Sequence, residues 1–161
     1  MSVQAYSRGK MSFQQRNITV SLVTFILILG FYLIRIFQMF QSDGFTSTNI
    51  FRLWGITIVL AIVATIVFTI LAHVGSAIFQ VIKTGDENPK IEDIQDERDK
   101  LIDLRGTQIT YLASSLGVLV AMLTFVFGQP PLVMFSLLVF FGLLAQIIGD
   151  ISRLMLYRRG F

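Results

Sequence analysis

The sequence predicts an all-α protein: a four-helix transmembrane bundle with a short cytoplasmic amphipathic helix before span three. Three observations predict it. Of 161 residues, 54% are hydrophobic and only 14% charged, where a soluble domain carries about 25% charged residues. The apolar residues gather into four runs, at about 20–40, 53–82, 108–128 and 131–149. A helix rises about 1.5 Å per residue, so about 20 residues cross a hydrocarbon core of about 30 Å. Finally, runs such as 58–71 are apolar throughout and do not alternate as barrel strands do. A chain in lipid must satisfy its own backbone hydrogen bonds, which leaves helices. The mean hydropathy of +0.72 agrees.

The run at 20–40 is read as a retained span. It is too long for the apolar core of a leader, holds Arg35, and shows no small-residue cleavage signal. Arg35 lies toward its far end, where the long side chain can snorkel to the interface. The next link, 41–52, is short and polar, and Trp54 suits an interfacial aromatic belt. The second run is long enough to tilt or to project beyond the membrane. Gly128-Gln129-Pro130-Pro131 makes a compact turn, since proline cannot continue a helix and glycine permits a sharp stop. The third and fourth runs therefore form an antiparallel hairpin. No internal repeat is visible, so 1–161 is expected to be a single integral membrane domain.

Lysine and arginine orient the bundle. Arg8, Lys10, Arg16, Lys83, Lys90, Arg98, Lys100, Arg105, Arg153, Arg158 and Arg159 fall on one side, against Arg35 and Arg52 on the other. By the positive-inside rule both termini and the 83–107 loop are cytoplasmic. The expected location is an inner or plasma membrane. The pI near 9.5 reflects that bias and not nucleic-acid binding, because no basic run exceeds two residues.

Small residues recur three or four apart: Ala113, Gly117 and Ala121 in run three, and Gly142, Ala145 and Gly149 in run four. Such spacing lets helix backbones approach closely in lipid, within one bundle or between copies.

Few groups in the spans carry chemistry. His73 is the single histidine, on the cytoplasmic half of run two, with no carboxylate in the first three runs to pair with it. Asp150 and Arg153 sit one helical turn apart and can pair with each other or with the middle loop. Asp150 is expected at the membrane interface and not buried. With no cysteine, one histidine and no phosphate-cradling glycine loop, no catalytic residue, metal site or cofactor is expected, and no enzyme.

The loop 83–107 holds eight of the ten acidic residues. Gly85-Asp86-Glu87-Asn88-Pro89 is a turn cluster, after which 91–105 reads as helix. Ile91, Ile94, Leu101, Ile102 and Arg105 share one face with Arg98 among them, and the other face is acidic, with Asp96 and Lys100 paired at i,i+4. This helix either continues straight into span three or kinks at Gly106. It docks onto its own bundle or presents an acidic face to a partner.

Asp96-Glu97-Arg98-Asp99, followed by Leu101-Ile102 and, after Gly106, by span three, resembles a segment of small four-span bacterial and archaeal membrane proteins of unknown function. In them an Asp-Glu-Arg-Asp/Glu quartet immediately precedes a transmembrane helix. The resemblance covers about 30 residues from Glu92 to Leu123 and implies a prokaryotic integral membrane protein without implying an activity.

The expected function is therefore that of an accessory or regulatory membrane protein acting by contact. The contact would be through Asp96, Glu97, Arg98, Asp99 and Arg105 or through the membrane faces, with lipid and either a protein partner or a second copy as its company. A small oligomeric transporter or channel is the alternative.

Overall fold

The computed structural model describes residues 13–84 and 97–159, apart from the side chains at 13, 72, 73 and 76–84. They form four helices, α1 (Phe13–Gln41), α2 (Ser47–Thr84), α3 (Glu97–Val126) and α4 (Pro131–Arg158), with no strand among the described residues. All four are long and apolar enough to cross a membrane. The fold is that of an integral membrane four-helix bundle.

Three of the helices outrun their apolar stretches at one end, where residues 13, 84, 97 and 158 gather; we call it the terminal end. The extension matters most in α3. Its described beginning, from Glu97, belongs to the span itself and runs straight through Gly106, which is one of the two courses open to the 91–105 segment. Residues 85–96, including Asp96 and the Asp96–Lys100 pair, lie outside the described residues.

The opposite, loop end is closed by two turns. After α1 the chain folds back through Asp43, at φ 52°, and the Gly44 amide donates to the Met39 carbonyl at 3.0 Å. The Asn49 side chain then donates to the Gly44 carbonyl at 2.9 Å and fixes the start of α2. Between α3 and α4, Gly128 takes a left-handed φ of 82°, its amide donating to Phe125 O and that of Gln129 to Thr124 O, both at 3.0 Å. Pro131 then opens α4, where its fixed φ and missing donor cost nothing.

α4 is the hub. It packs most extensively on α3 and next on α1; α1 in turn packs on α2, and α2 meets α4 only slightly. The order across the bundle is α3–α4–α1–α2. Glycines make the α3–α4 approach possible: a β-carbon on Gly106 would collide with Arg153, one on Gly117 with Phe141, and one on Gly149 with Thr110.

Ile28, Tyr32, Leu53 and Leu143 form the core, flanked by Phe25, Leu29, Val139 and Phe140. The buried Tyr32 hydroxyl donates to the Ser136 carbonyl at 2.8 Å, which satisfies it within the apolar interior. Near the loop end Phe51, Trp54 and Phe135 cluster with ring centroids 5.5 to 6.2 Å apart.

Among the described side chains of α2, the buried ones are Ile50, Leu53 and Thr57 in its loop-end half. Beyond these, Ile62, Val63, Ile66, Ile70 and Leu71 are exposed, as are Leu112, Leu116 and Leu119 on α3. Such a surface is uncovered in water and ordinary in lipid. A cleft opens at the terminal end between α1, α3 and α4.

Candidate functional site

The cleft is built on one face of α4. Gln146, Asp150, Arg153 and Tyr157 follow each other at four, three and four residues, so they stand one above another. α1 brings Ser21 against them; α3 brings Asp99, Asp103 and Thr107.

Asp150 is at the centre and only 3% exposed. Its Oδ2 accepts from the Ser21 hydroxyl at 2.6 Å. Its Oδ1 accepts from Gln146 Nε2 at 3.2 Å and from Arg153 Nη1 at 3.1 Å. The Arg153 guanidinium uses each of its nitrogens on a different residue, with Nε donating to Asp103 Oδ1 at 2.9 Å and Nη2 to Thr107 Oγ1 at 2.8 Å. One turn further on, the Tyr157 hydroxyl donates to Asp99 Oδ1 at 2.6 Å and Arg98 Nη2 to the Tyr157 carbonyl at 3.5 Å. A single node therefore ties α1, α3 and α4 together.

Burial decides which limb of the node matters. The Asp150 and Arg153 side chains are 4% and 12% exposed. Removing one partner of such a pair strands the other charge, at a cost of about 3–5 kcal/mol. The Asp103 side chain is 70% exposed, and an ion pair so well solvated contributes no more than about 1 kcal/mol. The Asp150–Arg153 pair is the structural centre, and Asp103 steers the outer edge of the guanidinium.

Two expectations need correction. Asp150 is buried within the bundle, because α4 continues as helix to Arg158 and α1 supplies the Ser21 hydroxyl beside it. Among the described residues expected to face inward on α3, Ile102 is fully buried, at 0% exposure, and Arg98, though exposed, reaches the Tyr157 carbonyl of α4, while Leu101 lies on the exposed side. Asp99 and Asp103, expected to face away, reach the bundle instead. The cause is electrostatic: Arg153 and Tyr157 on α4 offer donors that carboxylates can accept from and isoleucine or leucine cannot.

Glu97 and Arg105 are exposed in the first turns of α3. His73 belongs to α2, but its side chain, like Asp96, is outside the described residues. Sequence reasoning missed Ser21, Asp103, Thr107, Gln146 and Tyr157. The spacing of Gln146 and Tyr157 from the Asp150–Arg153 pair was a usable signal; nothing in the sequence pointed to Ser21.

Beside the node lies a cavity of about 320 Å³, lined by Asn17, Ser21, Thr69, Asp99, Asp150 and Tyr157 among others. The Asn17 side-chain oxygen is buried without a hydrogen bond among the described residues. No group of three or more His, Cys, Asp or Glu side chains among the described residues could hold a metal ion.

No family model, curated protein or solved structure matches the chain. What the site can do must therefore be read from its chemistry. Both carboxylate oxygens of Asp150 and every nitrogen of Arg153 are engaged within the protein, which makes the pair a latch between α1, α3 and α4. The latch holds the first turns of α3 against α4, leaving Leu101 and Leu104 facing outward at 52% and 56% exposure beside Glu97, Lys100 and Arg105.

Proposed function

We propose that the chain is a non-enzymatic accessory or regulatory subunit of the bacterial plasma membrane. It binds another membrane protein through the outward face of α3 around Leu101 and Leu104. Both termini and this face are cytoplasmic in this reading, in keeping with the eleven lysines and arginines on that side against two on the other. The observation that carries it is the Asp150–Arg153 node. Both carboxylate oxygens and all three guanidinium nitrogens bond within the protein and position the α3 arm, and that arm carries an exposed mixture of leucines and charges. Interfaces of this kind place apolar anchors inside a polar rim.

A second reading has one observation in its favour. The polar cavity beside Asp150, with Asp99 and Asp103 on its wall, suits a small cationic solute, and several copies of the chain would make a transport pathway.

One pair of measurements separates the two. In mild detergent, the wild type should retain a stoichiometric membrane partner that L101S/L104S loses while keeping its own melting temperature. In proteoliposomes, cation or proton flux abolished by D150N, together with unaltered partner retention by L101S/L104S, would establish transport and overturn the contact reading.

A further inference from the structure

A second cleft lies at the loop end, remote from the Asp150 node. It measures about 300 Å³ and is lined by Phe31, Arg35, Met39, Asn49, Arg52, Leu53 and Ile56. Two arginines from different helices border it, and no carboxylate does; Asp43, the acid of the adjoining turn, is not among the lining residues. Arg52 makes no hydrogen bond or ion pair among the described residues, and Arg35 donates only to the Gln38 side chain, at 3.1 Å. Two cations in one cleft repel each other unless an anion joins them. The first turn of α2 carries no acidic residue, and its positive dipole end there lies opposite the negative end of α1 at Gln41, so the net positive charge of the cleft is that of the two arginines.

Depth narrows the kind of anion. Arg35 precedes the α1 terminus at Gln41 by about 9 Å of helix, and Arg52 follows the α2 start at Ser47 by about 8 Å. The two arginines therefore occupy similar positions along their helices, about a turn and a half inside the helix ends. One turn deeper on each helix the lining becomes apolar, with Phe31 below Arg35 and Ile56 below Arg52. Charge above and hydrocarbon wall below is the vertical order of a phospholipid at the membrane surface, and an inorganic anion would leave the apolar half unused.

We propose that the Arg35–Arg52 cleft binds the phosphate of an anionic phospholipid headgroup, with the acyl chains lying along Phe31 and Ile56. The proposal is independent of the contact reading, since it uses neither the α3 arm nor the Asp150 node.

Native mass spectrometry of the purified full chain, titrated with phosphatidylglycerol and separately with phosphatidylcholine, tests it. The wild type should prefer phosphatidylglycerol roughly tenfold or more, on the basis of about 1 kcal/mol per arginine near anionic lipid. R35Q/R52Q should abolish the preference and R35K/R52K should keep most of it. R52Q alone removes a side chain that makes no bond among the described residues, so it should fold, and it should reduce the preference severalfold even if the double variant does not fold. R158Q/R159Q, at the terminal end, should leave it unchanged. An undiminished preference in R52Q and R35Q overturns the proposal. So does its loss in R158Q/R159Q instead, or displacement of the lipid by millimolar inorganic phosphate, which would mark a site for the free anion.

Discussion

Gly106 of α3 faces Arg153 of α4 so closely that a β-carbon at 106 would fall within the Arg153 side chain. The guanidinium cannot step aside cheaply, because Asp150, Asp103 and Thr107 hold its three nitrogens. Gly106→Ala should therefore destabilise by about 1–3 kcal/mol, the usual cost of overpacking. The same substitution in an R153A background should cost almost nothing further. Melting temperatures of the four proteins in detergent check this; equal losses in both backgrounds would mean that the glycine acts through backbone freedom alone.

The Asp150–Arg153 pair should behave as a buried pair. D150A leaves Arg153 partly uncompensated and should cost about 3–5 kcal/mol, whereas D150A/R153M, which removes both charges, should recover much of that loss. D103A should cost no more than about 1 kcal/mol, since its carboxylate is largely solvated. Chemical denaturation in mixed micelles gives the ranking, and a D103A loss as large as that of D150A would contradict it.

Glycines of similar appearance in the sequence should respond differently. Gly117→Ala would drive a methyl group into Phe141, while a β-carbon on Gly142 meets nothing within 4 Å. The first substitution should lower the melting temperature by several degrees, and the second should leave it unchanged or raise it slightly through helix propensity.

That contrast also marks what the sequence could and could not reveal. Number, order and approximate limits of the spans follow from apolar runs, and the Gly128–Pro131 turn follows from backbone chemistry; both were legible. The small-residue spacing of Gly142, Ala145 and Gly149 marked a packing helix, but which glycine touches a neighbour depends on helix rotation, which local periodicity does not specify. The same limit applies to the site. Asp150 and Arg153 are visible as an i,i+3 pair, whereas the Ser21 hydroxyl reaches Asp150 across 129 positions of chain. On α3 the apolar moment pointed Leu101 inward, and the polar face of α4 turned Asp99 and Asp103 there instead.

Tyr32→Phe should cost about 1 kcal/mol by deleting the buried hydrogen bond to the Ser136 carbonyl while preserving the ring in the core. Tyr32→Ala should cost about 3–5 kcal/mol, because it also opens a cavity among Ile28, Leu53 and Leu143. Thermal unfolding of the two variants distinguishes the hydroxyl from the ring.

The central claim is that the outward face of α3 at the terminal end is a protein-binding surface. A photo-crosslinking amino acid placed at Leu104 in intact membranes tests it most directly, with Leu119, equally exposed in mid-span, as the comparison. Position 104 should give one discrete heavier protein adduct, lost when R153A releases the α3 arm, and position 119 should give only lipid adducts. Lipid adducts alone at both positions, or the same protein adduct from both, would contradict it.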